Sequence, residues 1–111
     1  MENKKIFVAS PYNHNNEEVK KTRLLTLKDY CLKLFKEGAS PISPLIMGLS
    51  IAEVGSLPTD TETWANFSKT LLKGCDEIHI LCLEDWELST GVNYERLQAE
   101  KLGITIKYIY Q

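Results

Sequence analysis

The sequence predicts an α/β domain in which a mostly parallel sheet of four to five strands lies between helices, a flavodoxin- or Rossmann-like three-layer sandwich. Three observations carry this expectation. Short β-rich runs alternate with segments of helical period in the order βα β α βα β. The run 77–83 (EIHILCL) is apolar on both alternating faces, with Ile78, Ile80 and Cys82 on one side and His79, Leu81 and Leu83 on the other. Such a strand is covered on both sides, which requires flanking helices. Finally, the chain has 111 residues, 43% hydrophobic and 25% charged, enough for one core and too few for two, so a single domain over residues 1–111 is expected.

Taken in order, residues 5–9 (KIFVA) form a buried strand, and Ser10-Pro11-Tyr12-Asn13 turns the chain out of it. A long helix follows, with Leu24, Leu27, Cys31 and Leu34 at three- and four-residue steps, Asn15 or Asn16 as cap and Gly38 as its end. Residues 39–43 are a brief second strand bounded by Pro41 and Pro44. The segment 45–58 predicts a short helix broken by Gly48, Gly55 and Pro58, suited to covering a site. Thr59-Asp60 resembles a cap, and Trp64, Phe67, Ser68 and Leu71 then share one helical face up to Gly74. After the strand at 77–83, residues 83–93 (LEDWELSTGVN) predict a loop. Residues 94–102 predict a helix ended by Gly103, and residues 104–110 the last strand.

With 13 Lys and Arg against 15 Asp and Glu, the formal charge is -2, which gives no electrostatic footprint for a nucleic-acid polymer or an anionic membrane. A small-molecule partner is expected instead. No apolar stretch approaches the roughly 18 residues of a membrane span, and MENKKIFVAS runs into a strand without a signal peptide, so the expected location is cytoplasmic. Cys31, Cys75 and Cys82 form no CxxC pair and have only His14 and His79 beside them. They predict neither a disulfide framework nor a metal site, and no cofactor is expected.

Ligands of parallel sheets bind beyond the carboxyl ends of the strands, which selects the loops after Ala9, Ser43 and Leu83. The most informative stretch is 89–95, Ser-Thr-Gly-Val-Asn-Tyr-Glu. Free N–H groups at a helix start attract anions, Ser89 and Thr90 add donors, and Gly91 lets a phosphate approach the backbone. Helical spacing puts Glu95 on a stripe with Ala99 and Leu102, facing the sheet. A carboxylate there suits attack on the anomeric carbon of a sugar, giving a glycosyl ester. The same residues also make an ordinary helix cap with a glutamate in the first turns.

Four landmarks, IFVASPY, SPISPL, LLKGCDEIHIL and DWELSTGVNYERLQAEKLGI, give the chain a resemblance to the nucleoside 2-deoxyribosyltransferase-like superfamily over nearly its whole length. That group includes deoxyribosyltransferases, nucleoside 5'-monophosphate N-glycosidases and small domains of the DUF1937 or DUF4406 kind. The resemblance implies that Ser89 contacts phosphate and that Glu95 is the nucleophile. It also implies that Ser10 and Tyr12 form a sugar- or phosphate-contacting loop, that Ser43 and Pro44 form a second site loop, and that the protein is a homo-oligomer. Trp64 and Trp86 are further candidates for walling a base. The function so implied is cleavage or transfer of an N-glycosidic bond. The alternative is a nucleotide-binding module that senses or sequesters without turnover.

One departure stands out. Related active enzymes carry an acidic residue eight positions before the aspartate that matches Asp76, and here that position is Ser68. A hydroxyl is no general acid near neutral pH, which leaves Asp60, Glu62, Asp85 or another subunit to protonate a departing base. Where related sequences place a histidine after the second strand, this chain continues with an apolar stretch.

Overall fold

The computed structural model describes residues 2–58 and 60–111. Four strands, β1 (Lys5–Ala9), β2 (Ser40–Ile42), β3 (Glu77–Cys82) and β4 (Thr105–Tyr110), form one sheet in the order β2-β1-β3-β4, with every neighbouring pair parallel. The helices are α1 (Glu17–Lys36), α2 (Pro44–Gly55), α3 (Thr61–Leu72) and α4 (Thr90–Leu102), with a short 3-10 turn at Trp86–Leu88. The expected α/β sandwich is therefore the fold, with four strands.

Register explains why the sheet closes in this order. Ile42, Phe7, Ile78 and Ile106 align as one row across all four strands. With Ile80 this row meets Leu72 of α3 and Val92 and Ala99 of α4 in one core layer. The opposite face offers Ile6, Val8 and Leu81 to Leu27 and Leu34 of α1. Burying a side chain of this size stabilises a fold by about 1.5–3 kcal/mol, and β1 and β3, central in the sheet, contribute to both layers.

Local signals set the helix ends. Asn16 caps α1 through Oδ1, which accepts from the Glu18 and Val19 N–H groups, and the left-handed Gly38 (φ 92°) turns the chain toward β2. Asp60 caps α3 by accepting from Thr63 N at 3.1 Å. Thr59, its expected companion, lies outside the described residues.

Two expectations need correction. Helix α2 runs unbroken through Gly48 and ends only at Gly55. Gly48 serves close approach: a Cβ there would stand 3.4 Å from Cε3 of Trp64 on α3. Helix α4 begins at Thr90, four residues earlier than the pattern at 94–102 implies, because Ser89 Oγ accepts the Val92 N–H and starts the first turn.

Candidate functional site

In the strand order β2-β1-β3-β4, the chain leaves β1 for one side of the sheet and later returns to its other side, so a crevice opens beyond β1 and β3. A cavity of about 400 Å³ occupies it. Ser10, Pro11, Tyr12, Asn13 and His14 line it from the β1 loop, Pro44, Leu45, Gly48 and Leu49 from α2, and Asp60, Thr61, Trp64, Ala65 and Ser68 from α3. Val8, Arg23, Asp85, Leu88, Ser89, Thr90, Gly91, Tyr94 and Glu95 complete the wall. The first turns of α2, α3 and α4 all border this space, each with N–H groups that have no partner inside the helix and a positive dipole end.

Six of the eight residues singled out in the sequence meet here: Ser10, Tyr12, Pro44, Ser89, Gly91 and Glu95. Two do not. Ser43 is spent as the N-cap of α2, its Oγ accepting from Ile46 N at 3.2 Å. Trp86 packs on Tyr108 of β4, with ring centroids 5.6 Å apart, and outside the cavity wall. The indole that does line the cavity is Trp64, whose Nε1 donates to the Pro58 carbonyl at 2.7 Å.

Glu95 sits one turn beyond the start of α4 and faces α3. There the buried Ser68 hydroxyl donates to its Oε2 at 2.5 Å. Burial pushes the Glu95 carboxyl up to about 7, against the opposing pull of the Ser68 hydrogen bond. The stripe expected with Ala99 and Leu102 holds only in part, since Ala99 is buried and Leu102 is 43% exposed. The sequence marked Ser68 as the place of a missing acid and gave no sign that it pairs with Glu95.

Around the anion-suited corner, Ser89 keeps its own hydroxyl proton free to donate, because its cap bond to Val92 N uses only an oxygen lone pair. A Cβ on Gly91 would stand 3.4 Å from Thr61 Oγ1. The first turns of α3 and α4 therefore meet at this glycine. Asp60, of the alternative acids, accepts from Thr63 N and, at 2.7 Å, from Thr63 Oγ1. These bonds hold its carboxyl below the usual range, side-chain bond first. Asp85 lines the cavity with its backbone in the left-handed region (φ 63°). Glu62 does not line it.

Arg23 was missed, although it falls on the same helical stripe as the buried Leu27 and Leu34. A cation on an apolar stripe was the available signal. Only 8% exposed, Arg23 donates through its Nη1 to the carbonyls of Asn13 (3.1 Å) and Tyr12 (3.4 Å) and through its Nη2 to that of Glu84 (3.0 Å). One guanidinium thus ties the loop after β1 to the loop after β3. Tyr12 stands beside it with Lys20 Nζ 5.5 Å from its ring centroid.

Among the described residues no helix is long and apolar enough to cross a membrane. No curated protein matches the chain. A family model, that of a domain of unknown function (DUF1937), matches residues 4–110, and by that match the chain belongs to this family.

Proposed function

We propose that this protein cleaves or transfers the N-glycosidic bond of a nucleotide or nucleoside, with Glu95 as nucleophile and Ser89 and Gly91 seating the phosphate or sugar. The observation that carries the reading is the presence, in one crevice at the strand ends, of a desolvated carboxylate beside the start of a helix with a serine cap and a glycine. The resemblance of DWELSTGVNYERLQAEKLGI to the nucleoside 2-deoxyribosyltransferase-like superfamily supports the same roles. Ser10 and Tyr12, on the loop braced by Arg23, face the sugar. In the chemical step the ionised Glu95 attacks the anomeric carbon as the base departs. A water, or a second base in transfer, then displaces the carboxylate.

The Ser68 bond gives a second reading its footing. A carboxyl raised to about 7 is only partly ionised at neutral pH, and the residue beside it is a hydroxyl. A nucleotide-binding module without turnover fits that arrangement. The two readings separate in one mass-spectrometric screen against nucleotides and nucleosides, read for retained ligand and for released base. Turnover is expected, and retained ligand with no base released from any compound would leave the binding module.

Self-association belongs to the same proposal. Met47, Ile51, Val54 and Leu57, on α2 and just after it, are 43%, 48%, 90% and 47% exposed, an apolar surface suited to a second copy. Sedimentation at micromolar concentration is expected to show a dimer or larger species, and a monomer alone would count against it.

A further inference from the structure

Resting on the N-glycosidic reading, we propose that this cleft selects nucleotides whose base is joined as a cation, a pyridinium-type N-glycoside, over those that carry a neutral base. The juxtaposition behind this is Ser68 bonded to Glu95 at 2.5 Å in a cavity whose other described carboxyls, Asp60 and Asp85, are both exposed, so that the buried neighbour of Glu95 is a hydroxyl and not an acid. A neutral base leaves as an anionic nitrogen and needs a proton at the moment of departure. A pyridinium nitrogen takes the bonding pair, becomes neutral and needs none.

The groups that could supply a proton divide by position. The Ser68 hydroxyl hydrogen is spent on Glu95. Glu95 must itself be ionised to attack. The exposed Asp60 has both oxygens accepting from Thr63 and is held in its ionised form. The Tyr94 hydroxyl donates to the Ala65 carbonyl at 3.5 Å. His14 and Asp85, both exposed at the rim, and the hydroxyl of the half-exposed Tyr12 remain as proton sources among the described cavity residues, and the His14 Nδ1 already accepts from Asn16 N at 2.9 Å.

The surroundings also suit a cation. Asp60, Asp85 and Glu95 bring three carboxyl groups to the cavity, whereas the guanidinium of Arg23 is directed at backbone carbonyls. Trp64 adds an indole, the aromatic ring that binds cations best. In the step itself, a Glu95 oxygen bonds to the anomeric carbon while the carbon–nitrogen bond breaks and its electron pair returns to the ring nitrogen. This yields a neutral ester and a neutral base. Water then bonds to the same carbon, the carboxylate leaves, and the proton of the water goes to solvent, one per turnover.

The test uses the wild-type protein with nicotinamide mononucleotide and, in parallel, cytidine, uridine and adenosine 5'-monophosphates, with free base quantified by mass spectrometry. Nicotinamide release at least a hundredfold faster than that of any neutral base, and abolished in Glu95→Gln, is the expected result. A smaller ratio overturns the selection for cationic bases and leaves the N-glycosidic reading standing. His14→Gln, Asp85→Asn and Tyr12→Phe would then identify which residue supplies the proton. No base from any of the four compounds overturns both. A folded Ser68→Asp variant is expected to gain at least tenfold in neutral-base release, and absence of that gain counts against the account of Ser68. In Ser68→Ala the acid limb of the nicotinamide rate profile should move to higher pH, and an unmoved limb would make Ser68 a packing residue only.

Discussion

Glu77 and Glu95 are the same side chain treated in opposite ways at opposite ends of the sheet. Glu77 begins β3, about 17 Å of strand away from the cleft end. Its carboxylate accepts from Lys4 Nζ at 2.7 Å and from His79 Nε2 at 2.8 Å, and Lys107 Nζ lies 3.3 Å away. Tyr30 Oη completes the chain at 2.7 Å from His79 Nδ1. These bonds, that from Lys4 first, hold the Glu77 carboxyl down to about 2. Glu95 is desolvated with one hydroxyl donor and rises to about 7. Three partners make a buried carboxylate part of the framework; one partner leaves it costly to ionise. On the proposed function, stability and chemistry would thus fall to separate ends of the same sheet.

The sharpest way to break this comparison is Glu95→Gln. Base release should fall at least a thousandfold, about 4 kcal/mol in transition-state stabilisation. Ligand binding should stay within about tenfold. An enzyme left active by the substitution would remove Glu95 from the chemistry. Wild-type release should rise with pH through about 7, since only the deprotonated carboxylate attacks.

Next in size is Glu77→Gln. A carboxyl depressed from 4.5 to about 2 contributes stability that is complete above pH 4.5 and is lost as pH falls toward 2. The substitution should therefore destabilise the protein by about 2–3 kcal/mol at pH 7 and by little near pH 2. Urea unfolding at the two pH values measures it, and equal losses at both would locate the effect in packing.

The reverse holds for Glu95. A carboxyl raised in the folded state costs stability as pH rises from 4.5 to 7, and the full cost applies above that. Glu95→Gln should stabilise the fold by about 2 kcal/mol at pH 8, allowing for the part that water reaches, and by almost nothing at pH 4. A variant less stable than wild type at pH 8 would show that the residue is structural, like Glu77.

The smallest expected effect is that of Ser89→Ala, about 1 kcal/mol of stability from the lost cap on α4. The same change should weaken phosphorylated ligands more than nucleosides, by roughly 1.5–3 kcal/mol. Calorimetric titration with matched pairs measures this, and equal weakening would move the phosphate away from Ser89.

What was legible in the sequence follows the range of the interactions. The double-sided burial of β3 was readable because each residue of EIHILC reports its own face through simple alternation. That Ser89, Gly91 and Glu95 border one crevice at a helix start was readable because cap, glycine and glutamate are neighbours in the chain. Ser68 and Glu95 are 27 positions apart on two helices, and neither helical period reveals which side chains will touch. The reach of Arg23 to Glu84 spans 61 positions and was equally silent. Ser43 was singled out by the family resemblance and Trp86 as a wall for a base; local geometry makes the first a helix cap and packs the second on Tyr108 of β4. Gly48 suggested a break because its low helix propensity was weighed alone; contact between helices decided the matter.

That same glycine makes the width of the crevice a matter of one missing methyl group. Three carbons of the Trp64 ring stand 3.4 to 3.6 Å from where its Cβ would be, so alanine would just fill the seam, and a branched side chain would drive the indole toward the opposite wall. Because Gly48 has no side chain and lies on α2, a different helix from the α4 that carries Glu95, a substitution there would, under the proposed function, retune the size of the accepted ring without replacing a reacting group. On the proposed reading, the breadth of ring choice would be set on α2 and the chemistry on α4, two parts of the fold that can vary separately.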